Sequence, residues 1–127
     1  MAVSFGQSDI LSRLEAMDDA ALDTLDFGVI GFKGDTVVCR YNAYESRLSA
    51  IAPDKALGCS LFTELAQCMN NFMVAVRFED ALSAGTPLDA TMDFVLSWRM
   101  RPTKVQLRLL SAPEYSVRYV LVQQRPA

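Results

Sequence analysis

The chain has 127 residues, 51% of them hydrophobic, and a formal net charge of −3. That length suits one domain with a real core, and the composition excludes a disordered chain. The acidic balance and the scatter of the basic residues argue against nucleic acid or an anionic membrane as partner, and no apolar run reaches the roughly eighteen residues of a spanning helix.

In chain order, Ser8 is placed to cap a helix whose apolar residues Ile10, Leu11, Leu14 and Met17 recur at helical spacing. Asp18-Asp19-Ala20-Ala21-Leu22 opens a second short turn. Residues 1–25 are therefore expected to form a helical cap on a core of residues 26–127. Phe27 to Phe32 and Thr36 to Tyr41 read as β-strands flanking the Lys33-Gly34-Asp35 turn of a hairpin. Residues 43–70 hold short helical pieces broken by Pro53 and Gly58. Asn70 or Asn71 is placed to cap a longer helix through Phe72, Val76, Phe78 and Leu82, with Gly85 as its stop.

Met92, Phe94, Leu96, Trp98 and Met100 form an unbroken period-two apolar series, which predicts a strand with one buried face. Arg101-Pro102-Thr103 turns the chain. Val105, Leu107 and Leu109 then alternate with Lys104, Gln106 and Arg108, a strand with one wet face. Pro113-Glu114 turns it again, and Val117 to Val122 form the last strand. The order predicts an α+β fold, a five-stranded antiparallel sheet with helices on one face.

Cys39, Cys59 and Cys68 lack metal-binding spacing, and the chain has no histidine. No basic and apolar leader is visible at the start, so reduced thiols in the cytoplasm are expected. A thiol without a histidine base is a poor hydrolase, so an enzyme is not expected. By residue type alone, Cys68 is a small core residue, Tyr41 packs at a strand end, and Glu45 lies on a wet helix face.

The set Met17-Asp18-Asp19, Phe27-Gly28, Tyr41-Asn42-Ala43 with Glu45, Leu61-Phe62 followed by Ala66 and Cys68, Met100 with Pro102-Thr103-Lys104-Val105, and the final Val120 and Val122 resembles the photoactive yellow protein family, a branch of the PAS fold. The likeness runs from Phe5 to Val122. It implies a sheet of order 2-1-5-4-3 and a blue-light receptor bearing p-coumaric acid as a thioester on Cys68. It implies that Tyr41 and Glu45 donate hydrogen bonds to the phenolate of that group, that Ser49 supports Tyr41, and that Met100 lies on a loop influencing dark recovery. Leu96 and Leu61 stand where the family has aromatic residues packed around the group, Ile51 where it has an arginine, and Gln67 where it has a proline. Light would drive trans–cis isomerisation, proton transfer from Glu45 and partial unfolding of the cap. The expected partner is a downstream signalling protein the sequence does not name, and the expected state is a monomer or weak dimer. The departures at Ile51, Leu61, Gln67 and Leu96 keep open a PAS interaction or small-ligand module without chromophore, and Cys68 keeps open a thiol redox sensor.

Overall fold

The computed structural model describes residues 3–96 and 102–124. Strands β1 (Gly28–Phe32), β2 (Val38–Tyr41), β3 (Leu88–Leu96), β4 (Thr103–Ser111) and β5 (Arg118–Gln124) form one antiparallel sheet of order β2-β1-β5-β4-β3. This is the α+β architecture and strand order expected. β1 pairs with both β2 and β5, Ile30 lying opposite Tyr41 on one side and Val120 on the other. The β1–β2 turn closes through the amide of Thr36 on the Lys33 carbonyl, with Thr36 at positive φ, so β2 begins two residues later than predicted. The free edge of β2 is covered: Val38 N–H donates to the Cys59 carbonyl and Gly58 N–H to the Val38 carbonyl. A covered edge offers no template for pairing with another chain.

Both faces of the central strands are buried. On the inner face Ile30, Phe32, Leu107, Leu109, Val120 and Val122 meet the helical segments through Leu61, Phe62, Met69, Val74 and Phe78. Phe32 stands edge-on to Phe62 (centroids 5.5 Å) and Phe78 (4.9 Å), the geometry the aromatic quadrupole favours. These segments are α3 (Ala43–Ser49), α4 (Pro53–Ala56), one π-helical turn at Leu61–Leu65, a 3-10 turn at Gln67–Met69, and α5 (Ala75–Ala84). On the outer face Phe27, Val29, Leu110, Tyr119 and Leu121 are covered by the N-terminal segment, through Val3, Phe5, Ile10, Leu14 and Leu22. That segment holds α1 (Ile10–Ala16) and α2 (Asp19–Leu22).

Four local expectations are corrected. Asp9, not Ser8, precedes α1, and its carboxylate pairs with Arg13 one turn on instead of capping the helix. α5 starts at Ala75, because Asn71 Oδ1 accepts the amides of Met73 and Val74 in a loop ahead of the helix. Its buried face is Ala75, Phe78 and Ala81, whereas Phe72 and Leu82 are 77% and 59% exposed. In β3 the alternation is present, but Met92 and Phe94 are only half-buried because the strand is the sheet edge; Leu96 is buried. In β4 Arg108 is buried, not wet, because the N-terminal segment lies over it. Its guanidinium donates to the carbonyls of Phe5 and Gln7 and pairs with Asp89 at 2.7 Å. Gly85 does end α5, at positive φ, as expected of a glycine stop. No helix of the described residues is long and apolar enough to cross a membrane.

Candidate functional site

The site grows from the junction of β2 and α3. Asn42 caps α3: its Oδ1 accepts the amide of Glu45 (3.1 Å) and also that of Val29 (2.9 Å) in β1. Its Nδ2 donates to the Leu22 and Phe27 carbonyls, so one buried amide ties the helix start to β1 and to the end of α2. Glu45 is the third residue of α3. A glutamate there ordinarily reaches back to the cap residue's own amide. That amide is already donated to the Val29 carbonyl, and the Glu45 carboxyl instead turns inward over Gly28.

Glu45 is fully buried, and neither carboxyl oxygen has a hydrogen-bond partner among the described residues. Burial alone pushes its pKa up to about 8, since removal from water disfavours the carboxylate. At neutral pH it is therefore a neutral acid whose proton is available for donation. Tyr41 ends β2 on the inner face, and its Oη lies 2.5 Å from Ser49 Oγ one helix length away. Burial raises the phenol to about 12, the Ser49 hydrogen bond opposes this, and the nearby Glu45 adds to it. Ser49 Oγ also accepts the amide of Ile51, past Ala50 in the left-handed conformation that ends α3. The serine is thereby fixed and in turn fixes the tyrosine.

Cys68 lies in the 3-10 turn, half-buried, and packs against the inner core that also contains Tyr41 and Leu96. It is a free thiol, as are Cys39 and Cys59. Ile51 packs on the same core, and Leu61 is buried within it. Tyr41, Ser49, Glu45, Cys68 and Leu96 thus gather on one side of the sheet. Met100 and Trp98 lie outside the described residues. Among the described residues no group of acidic, cysteine or histidine side chains is arranged to hold a metal. Gly28 was not marked as a site residue by sequence reasoning. The available signal was a glycine in a strand interior, which often marks a close approach of another group.

No family model matches the chain. The PAS domain of an HTR-like protein from Haloarcula marismortui superposes with a TM-score of 0.60 at 13% identity, over 94% of this chain and 100% of that one, which establishes the PAS fold. The photoactive yellow protein domain of the sensor histidine kinase Ppr from Rhodospirillum centenum superposes with a TM-score of 0.81 at 36% identity, over 89% of this chain and 98% of that one. In sequence, the chain is 32% identical over 110 residues to photoactive yellow protein of Rhodothalassium salexigens, covering 87% of each. Over the same length it is 31% identical to that of Halochromatium salexigens. The fold is that of a PAS domain. Within that class, the chain belongs to the photoactive yellow protein family.

Proposed function

We propose that this chain is a blue-light receptor domain that carries p-coumaric acid as a thioester on Cys68. The observation carrying this reading is the Glu45 carboxyl, fully buried with both oxygens unpartnered. An orphaned buried acid costs about 1–3 kcal/mol and calls for an acceptor that the described residues do not supply. An anionic oxygen beside Glu45 and the Tyr41 hydroxyl fits, because both groups are neutral there and both can donate. Such O–H···O⁻ bonds are short and roughly twice as strong as neutral ones. When bound, p-coumaric acid supplies blue-light absorption and a light-driven isomerisation of its double bond.

The chain's residues do the rest. Ser49 orients Tyr41 through the 2.5 Å contact. The Cys68 sulfur, as thiolate, attacks the carbonyl carbon of an activated acyl donor; the S–C bond forms and the donor's leaving group departs. After excitation Glu45 would pass its proton to the phenolate oxygen of the bound group, leaving a buried carboxylate with no hydrogen-bond partner among the described residues. By analogy with broken buried ion pairs this costs about 3–5 kcal/mol, a large share of the roughly 5–15 kcal/mol that holds a small domain together. Asn42, which caps the Glu45 helix and holds the Leu22 and Phe27 carbonyls, carries the disturbance to the N-terminal segment. Release of that segment is the signal to a downstream partner.

Incubation of the purified chain with an activated p-coumaroyl thioester tests this. A mass increase of one p-coumaroyl group, visible absorption that survives denaturation, and loss of both in the Cys68→Ala variant are expected. An unchanged mass with no visible band overturns the reading and leaves a PAS module without chromophore.

A further inference from the structure

We propose that Gly28 is a positioning residue for the buried acid: the volume its side chain would fill is the volume that the Glu45 carboxyl occupies. A Cβ placed on Gly28 would lie 2.1 Å from Glu45 Oε1, 3.2 Å from its Cδ and 3.3 Å from Val122 Cβ. The first distance is far inside the ~3.5 Å at which non-bonded heavy atoms sit comfortably. The backbone gives no other reason for glycine there. Gly28 lies within β1, in register with Val122, and is not among the residues at positive φ. Glycine in a strand weakens it, so the gain must come from the space left open.

The side of the sheet also agrees. Gly28 and Ile30 share the inner face of β1, and Val122 and Tyr41 pack in the same core. Glu45 can turn inward from α3 only because the sheet presents no side chain at this point. A methyl group there must push the carboxyl away from its seat, because at 2.1 Å from Oε1 the two cannot occupy the same volume. Gly28 therefore fixes where the Glu45 proton is presented. In this respect the inference rests on the proposed role of Glu45 as a donor, but the geometry belongs to the chain alone.

Two measurements test it. The first is the infrared C=O stretch of the protonated Glu45 carboxyl in the unloaded protein, assigned by its absence in E45Q. Gly28→Ala is expected to shift or abolish this band, and in the pigment-loaded protein to move the visible maximum in the same direction as E45Q does. The second is a double-mutant cycle in denaturant. Gly28→Ala should lower the unfolding midpoint in the parent chain and lose most of that effect in the Glu45→Ala background. A Gly28→Ala chain that cannot fold, rescued by the added Glu45→Ala change, is the same result in stronger form. An unmoved carboxyl band, an equal loss of stability in both backgrounds, or failure of both Gly28→Ala chains to fold overturns the proposal. Failure of Cys68 to take up the pigment overturns the photoreceptor reading alone, since the unloaded band and the cycle still decide the role of Gly28.

Discussion

Replacing Glu45 with Gln should change how stability depends on pH, in one direction and over one window. Burial raises the Glu45 pKa from its ordinary 4.5 to about 8 in the folded chain. Between those values the folded state holds a proton that the unfolded state has released, so stability falls as pH rises. The stabilisation by the neutral acid is complete below pH 4.5 and disappears as pH climbs past the folded pKa. At about 1.36 kcal/mol per pH unit, a rise from 4.5 to about 8 amounts to about 5 kcal/mol lost by about pH 9. A glutamine at 45 keeps the size and cannot ionise, so the variant lacks this loss while all other titrating groups are shared. Urea unfolding of the unloaded parent and E45Q chains across pH 5 to 9 is the assay. The stability difference between them should move steadily in favour of E45Q as pH rises, with roughly two-thirds of the change complete by pH 7. Parallel curves across the window would show that Glu45 ionises as a solvated acid, and would remove the basis for its role as a donor.

Tyr41→Phe deletes the 2.5 Å contact with Ser49 and should lower stability by about 1–2 kcal/mol in denaturant, with the loss absent in a Ser49→Ala background. Arg40→Gln deletes the bonds that Arg40 Nη1 and Nη2 make to the Leu14 and Met17 carbonyls and to Tyr119 Oη, all holding α1 on the outer face. Amide hydrogen exchange over residues 10–22 should then quicken by at least tenfold while the inner-face strands are less affected; uniform protection would refute the latch. The hydrogen bond and charge of Arg108 hold the Asp89 carboxyl below its usual 3.8, so its contribution is present above that pH and is lost as pH falls through the depressed pKa. Asp89 is half exposed, so Asp89→Asn should reduce the acid-side loss of stability by less than ~1 kcal/mol, read as a shallower unfolding curve below pH 4.

The alternation of apolar residues in β4, the apolar run of β5 and the glycine after α5 are local signals, and each produced its element near the expected place. Element order then sufficed for a five-stranded antiparallel sheet, while its strand order was legible only through the family resemblance. Chemical roles were legible only through resemblance, since a tyrosine at a strand end and a glutamate on a helix have bland readings in isolation. Tertiary packing decided what no local pattern carries. Arg108 and Tyr119 sit at positions that alternate with the inner core, yet they are buried because the N-terminal segment, about a hundred residues away in sequence, lies on that face. Of the apolar residues predicted for the α5 region only Phe78 faces the sheet, flanked by Ala75 and Ala81, while Phe72, Val76 and Leu82 are exposed. The neutrality of Glu45 is likewise a property of its surroundings. Periodicity can report which residues share a side of one element, but whether water reaches that side is set by distant chain folded against it.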